Sequence, residues 1–159
     1  MPQKPNDQQI PDLKLRAMLN YRRVTDRILT AGQPTEAQMT SVALVGVRTV
    51  INLALPTSTG ALPNERATVE GLGMQYIPIP VNFAAPTEEN WEEFCQAMDV
   101  RPNETLLVHC AMNYRVSAFL AIYGVRRWGW SRDNALREMR QLWEPDAVWM
   151  EFLASHGVK

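Results

Sequence analysis

At 159 residues with 46% hydrophobic content, the chain can bury one substantial core and hardly a second, so a single domain is expected. Its formal net charge of −1, with Lys and Arg scattered along the chain, provides no broad attraction for nucleic acid or an anionic membrane, so any anion site must be local. No apolar run reaches the roughly 18 to 20 residues that span a bilayer, and "MPQKPNDQQIPD" lacks the apolar segment of a signal peptide, which points to a soluble protein; Cys95 and Cys110 are too few for a disulfide framework and, as reduced thiols, fit a cytoplasmic compartment.

Residues 1–19 read as an N-terminal arm, rich in Pro and Gln up to about residue 12, ahead of a domain over 20–159. In "YRRVTDRILTAG" the turn signal Thr25-Asp26 between Val24 and Ile28-Leu29 predicts a short hairpin. "PTEAQMTSVALVG" predicts a helix, with Thr35 and Gln38 at capping-box spacing, Met39, Val42 and Ala43 on one face, and Gly46 as the stop. "RTVINLAL" is a continuous apolar run rich in β-branched residues, as in a strand covered on both faces. "NERATVEGLG" predicts a short helix capped by Asn64, and "MQYIPIPV" a strand kept near a sheet edge by Pro78 and Pro80.

The next helix starts at Thr87, with acids in its first turn and Trp91, Phe94, Cys95 and Met98 at core spacing. "TLLVH" is then a strand and "RVSAFLAIYGVRRW" a helix. Ser131 caps a further helix expected to carry Ala135, Met139, Leu142 and Trp143 inward, until Pro145 breaks it. A last helical turn or two follows through Val148, Trp149 and Phe152. Alternating strands and helices imply an α/β fold: a central, mainly parallel sheet of four or five strands flanked by helices.

Ligands bind such sheets outside the carboxyl ends of the strands, where residues 109–115 fall. A tight turn from strand to helix leaves amide N–H groups unpaired, and the helix adds its positive dipole end, so the loop is an anion cradle. Cys110 sits at its base, where helix terminus, amides and a nearby guanidinium favour the thiolate. The planar fork of Arg115 can bind two oxygens of a tetrahedral oxyanion. An activated nucleophile beside an oxyanion clamp is the chemistry these residues describe.

"VHCAMNYRVSAF" resembles the phosphate-binding loop of the protein tyrosine and dual-specificity phosphatases. More closely, the chain resembles a bacterial phosphatase-like domain also found fused to β-lactamase-like hydrolases, over roughly residues 20–155, including "LTAGQPTEAQM", "VINLAL" and "PTEENW". The resemblance implies the cysteine-phosphatase fold and hydrolysis of phosphomonoesters, on a protein or a small molecule, through a cysteinyl-phosphate intermediate. Cys110 and Arg115 would be the catalytic pair. Residues Cys110, Ala111, Met112, Asn113, Tyr114, Arg115, Val116 and Ser117 would hold the phosphate, or a sulfate ion in its stead. His109 and Asn82 would support them, with neither metal nor cofactor.

The chain departs from the phosphatase pattern in two places. Only four residues separate Cys110 from Arg115 where the signature has five, and Val116 rather than Ser or Thr follows the arginine. Either the loop is one residue shorter, or Ser117 keeps its place and the arginine has moved back by one. Rhodanese-type sulfurtransferases use a smaller cysteine loop, so persulfide chemistry is the rival reading. Asn82 also stands where an aspartate acid is expected; Glu88 or Glu89 could substitute, although acids at a helix start are ordinary dipole partners. A phosphate-binding module without turnover is the non-enzyme alternative.

The plain structural readings are stated beside these. Cys95 reads as a core thiol and His109 as a hydrogen-bonding neighbour of the cysteine backbone. Asn113 suits a left-handed loop position, Tyr114 a rim aromatic, and Trp143 and Trp149 either core or pocket border. The set His109, Cys110 and His156 lacks any recognised metal-ligand spacing.

Overall fold

The structure, a computed structural model, describes residues 13–159. The sequence alternation becomes one five-stranded sheet: β1 (Arg22–Arg23), β2 (Ile28–Ala31), β3 (Thr49–Asn52), β4 (Gln75–Pro78) and β5 (Leu106–His109), in the order β1-β2-β5-β3-β4. Only β1 runs antiparallel, closing the hairpin around Thr25-Asp26; the other neighbours are parallel, and β5 lies in the middle. Burial on both sides accounts for the largely apolar, β-branched make-up of β2, β3 and β5. Proline-bearing β4 lies at the edge.

The helices among the described residues are α1 (Glu36–Leu44), α2 (Glu65–Gly71), α3 (Glu88–Asp99), α4 (Tyr114–Arg127), α5 (Arg132–Met139) and α6 (Ala147–Ser155), and residues 13–15 are also helical. The local signals explain their starts. Thr35 and Gln38 form a reciprocal capping box, Thr87 forms one with Asn90, and the side chains of Asn64, Ser131 and Asp146 each accept a first-turn amide.

Two ends differ from the sequence expectation. Helix α5 stops at Met139, before Leu142, Trp143 and Pro145: the amides of Gln141 and Leu142 bond three residues back, to Glu138 and Met139, tightening the chain out of the helix. Helix α6 is nine residues long rather than a turn or two, because the Asp146 side chain caps the Trp149 amide and Trp149, Phe152 and Leu153 bury one face.

Strand alternation divides the core into two layers. Ile28, Ile51, Leu106 and Val108 face one side with Phe94, Phe119, Trp149 and Cys110, whereas Leu29, Val50 and Leu107 face the other with Met39, Val42 and Val69. Leu15 and Met18 join the second layer, so the later part of the sequence read as an arm packs against the sheet; its first twelve residues lie outside the described ones.

Helix α4 depends on a glycine where Trp130 folds back across it. A Cβ on Gly124 would lie 2.2 Å from Trp130 Cε3, while the amides of Trp128 and Trp130 both donate to the Gly124 carbonyl. Gly124→Ala is therefore expected to destabilise by about 1–3 kcal/mol through overpacking, despite the better helix propensity of alanine. Thermal unfolding would register a drop of roughly 2–12 °C; an unchanged midpoint would mean Trp130 can move aside freely.

Candidate active site

The turn 110–113 leaves the carboxyl end of the central strand and enters α4, and its geometry follows from where each carbonyl is held. His109 Nδ1 lies 3.2 Å from the Cys110 carbonyl, the Gln33 amide donates to the Ala111 carbonyl at 2.9 Å, and Asn20 Nδ2 donates to the Met112 carbonyl at 2.9 Å. In a planar trans peptide the carbonyl and the next amide point in opposite directions. Drawing three successive carbonyls outward thus aims the amides of Ala111, Met112 and Asn113 inward. None of the amides of residues 111–116 donates to a protein acceptor among the described residues. Such a nest at a helix N-terminus favours an anion.

Asn113 makes the corner. Its φ of 69° is left-handed, a conformation asparagine tolerates better than most residues, and its buried Nδ2 donates to the Asn20 carbonyl at 2.8 Å and to Thr30 Oγ1 at 3.0 Å. Gly32 lets the neighbouring chain close on the loop, since a Cβ there would meet the Ala111 carbonyl oxygen at 2.6 Å.

Cys110 is 1% exposed at the base of this turn, and its amide bonds back to the Ala31 carbonyl. Arg115, in the first turn of α4, is buried, with Nη1 donating to the Val81 carbonyl at 2.9 Å and the guanidinium carbon 5.9 Å from the Phe83 ring centroid. It pairs with no carboxylate among the described residues, so its charge is left for a ligand. Above the loop, Ala111, Met112, Arg115, Asn82 and Phe83 line an open cleft with Gln33 and the 55–62 loop. Arg115 is the one charged residue in that lining among the described residues.

Several side chains of the expected cradle residues are engaged elsewhere, which leaves their backbone amides as described. Ser117 Oγ donates to the Tyr114 carbonyl at 2.7 Å and accepts from Trp143 Nε1 at 2.9 Å, and the residue does not line the cleft. The Tyr114 ring stacks on Trp143, 4.9 Å between centroids and 6° between planes, which removes it as a free rim aromatic. Val116 is fully buried in the core. Trp143 and Trp149 back the cleft residue Phe83 instead of lining the cleft themselves. Asn82 does face the cleft, its Oδ1 accepting the Ala84 amide at 2.9 Å. Glu88 turns to His156, 3.0 Å away, and neither Glu88 nor Glu89 reaches the cleft lining.

His109 and Cys110, adjacent in sequence, point to opposite faces of the sheet. His109 is fully buried, and its Nε2 lies 2.7 Å from Glu65 Oε2. Burial of Glu65 opposes its charged form, but the hydrogen bond and charge of His109, with hydrogen bonds from Gln33 and Tyr76, outweigh it and hold the carboxyl below its ordinary range. The roles of Asn20, Gln33, Gly32 and Glu65 escaped sequence reasoning. "AGQPT" was visible as a stretch, but nothing in its spacing says that Gln33 meets Ala111. Both cysteines are free, and half-buried Cys95 has its thiol pushed up to about 11, mainly by burial.

The family described as DSP-PTPase phosphatase fused to NAD+ kinase matches residues 5–148 of the chain. The chain belongs to this dual-specificity-type phosphatase family. The fusion in that description is to NAD+ kinase, a different one from the β-lactamase-like fusion of the sequence resemblance. Among solved structures, a candidate phosphatase (DUF442) from Shewanella putrefaciens CN-32 is 31% identical with a TM-score of 0.83, covering 91% of this chain and 95% of that one. Tk-PTP in its active form is 24% identical with a TM-score of 0.70, over 86% and 95% of the two chains. TpbA of P. aeruginosa in complex with pTyr is 16% identical with a TM-score of 0.64, over 86% and 76%. The last two show a shared cysteine-phosphatase fold. No curated protein matches the sequence. No helix among the described residues is long and apolar enough to cross a membrane.

Proposed function

We propose that this phosphatase-family chain hydrolyses phosphomonoesters by cysteine nucleophilic catalysis. In the first step the Cys110 thiolate attacks phosphorus, an S–P bond forms, and the P–O bond to the leaving group breaks. In the second, water attacks phosphorus, the S–P bond breaks, and inorganic phosphate leaves with the thiolate restored. The loop amides and Arg115 neutralise the oxygens that carry charge in both transition states. The single observation that carries this reading is the set of amides at residues 111–116 that donate to no protein acceptor among the described residues, met by Arg115, which has no carboxylate partner among them.

The cleft favours a single phosphate on an uncharged group. Among the described residues its lining has one cation and no anion, and Leu19, Leu55, Leu62, Phe83 and Met112 give it an apolar rim. A phosphorylated aryl side chain on a protein, or an aryl phosphate, fits that chemistry, as does the pTyr bound by TpbA. The two free thiols suit a reducing, cytoplasmic compartment.

Limited alkylation with iodoacetamide at neutral pH, followed by peptide mapping, tests the site. Cys110 is expected to be labelled first and to be protected by vanadate or phosphate, with Cys95 slow because burial keeps its thiol protonated. Nitrophenyl phosphate should be turned over by the same preparation. Preferential labelling of Cys95 would sink the assignment. Formation of a stable Cys110 persulfide from thiosulfate, with no phosphate release, would establish sulfur chemistry instead. Protection by vanadate without any turnover would make the domain a binding module.

A further inference from the structure

We infer that Glu65 is a positioning residue for the cysteine loop, acting through His109 and Gln33; the inference rests on the phosphatase reading for its purpose, though not for its geometry. Glu65 opens α2, distant in sequence from the loop, and its carboxylate is buried at 6% exposure. Oε2 takes His109 Nε2 at 2.7 Å and Oε1 takes Gln33 Nε2 at 2.7 Å. Gln33 Nε2 also donates to the Pro34 carbonyl at 3.0 Å, and both residues reach the loop, His109 through its other ring nitrogen and Gln33 through its backbone amide. His109 Nδ1 meets the Cys110 carbonyl at 3.2 Å, and the Gln33 amide meets the Ala111 carbonyl at 2.9 Å. Those carbonyls belong to the peptides whose amides are Ala111 and Met112. One carboxylate therefore fixes two of the cradle's donors, while the third carbonyl, of Met112, is held independently by Asn20.

The same contacts set charge as well as direction. Both His109 ring nitrogens face oxygen acceptors, a carbonyl and a carboxylate, and both contacts are hydrogen bonds only when each nitrogen holds a proton. Glu65 thus offers a second ring proton of His109 an acceptor, on the residue preceding Cys110 and beside Arg115 of α4. The other titratable group at Glu65 is Tyr76 of β4. Burial, with the Glu65 charge, pushes its hydroxyl up to about 12, so it stays neutral and donates to Glu65 while accepting from Asn52 Nδ2. Arg66 lies over the Tyr76 ring at 5.2 Å.

Glu65→Gln separates charge from shape. A glutamine keeps the volume and can donate to His109 Nε2, which leaves the Nδ1 proton on the Cys110 carbonyl but removes the second ring proton. Alkylation of Cys110 in this variant should slow roughly tenfold near pH 6.5 and recover to the wild-type rate near pH 9.5. A merely structural role would lower both rates alike or neither. In the wild-type protein, the ¹⁵N resonances of the His109 ring should be those of an imidazole protonated on both nitrogens, a measurement that does not depend on the variant folding. Equal alkylation rates for variant and wild type at both pH values, or a singly protonated His109 ring, would overturn the inference. Neither readout requires turnover: Glu65-dependent alkylation in a protein that releases no phosphate would refute the phosphatase reading alone, and Glu65-independent alkylation in an active enzyme would refute the positioning role alone.

Discussion

Turnover of alkyl phosphates is expected to fall about 10²–10⁴-fold below that of nitrophenyl phosphate, because among the described residues the cleft lining offers no carboxylic acid to protonate the departing oxygen. Asn82 faces the cleft beside Arg115 and Phe83, and its amide cannot donate a proton to an alkoxide as a carboxylic acid would. Glu88 is turned to His156, and Glu89 stays outside the lining. A nitrophenolate leaves readily without a proton, so its rate should suffer little. Asn82→Asp keeps an oxygen for the Ala84 amide and supplies a second oxygen to carry the proton. It should restore the poor leaving groups by roughly tenfold or more while barely changing the aryl ester. Rates for a series of esters with graded leaving-group pKa, in both proteins, measure the effect. A flat dependence in the wild type would show that another acid already reaches the leaving oxygen.

Cys110→Ser should abolish turnover, with a loss on the order of 10⁴-fold or more, and leave phosphate binding largely intact. A serine hydroxyl in the same turn lacks the thiolate's nucleophilicity and has no base placed to remove its proton; the neighbouring His109 points to the opposite face of the sheet, into its pair with Glu65. The amides and Arg115 proposed to cradle the anion are untouched by the change. Single-turnover mixing with a ³²P-labelled ester, quenched in acid, should trap a phosphorylated Cys110 in the wild type and none in the variant. Residual turnover within tenfold of wild type would show that water attacks phosphorus directly, and the cysteinyl-phosphate step would have to be abandoned.

The frame around these experiments was legible in short-range pattern. Capping at Thr35 and Thr87, the apolar runs of β3 and β5 and the edge prolines of β4 are local matters of hydrogen bonding and burial, and each element lies where its own residues direct. The end of α5 was not legible, because Leu142 and Trp143 keep an apolar pattern while the backbone has already left the helix through bonds three residues back. Tyr114 and Ser117 show the same limit: their position in the loop motif suggests a ligand, yet Trp143, far along the chain, takes the ring of one and the hydroxyl of the other.

Sequence alone determined that an α/β fold would place Cys110 and Arg115 at the junction of a buried strand and a helix, since strand period, helix start and residue chemistry are properties of contiguous residues. Only the tertiary structure decided which groups turn the loop's carbonyls outward. Asn20, Gln33 and Glu65 come from three separate parts of the chain and meet residues 109–112 because β2, β5 and β3 are neighbours in the sheet and α2 packs on the His109 face. A carboxylate buried 44 positions from the histidine it pairs with leaves no periodic trace in the sequence. Its partner is set by strand order and by the side of the sheet each residue faces, and both are outcomes of packing the whole chain.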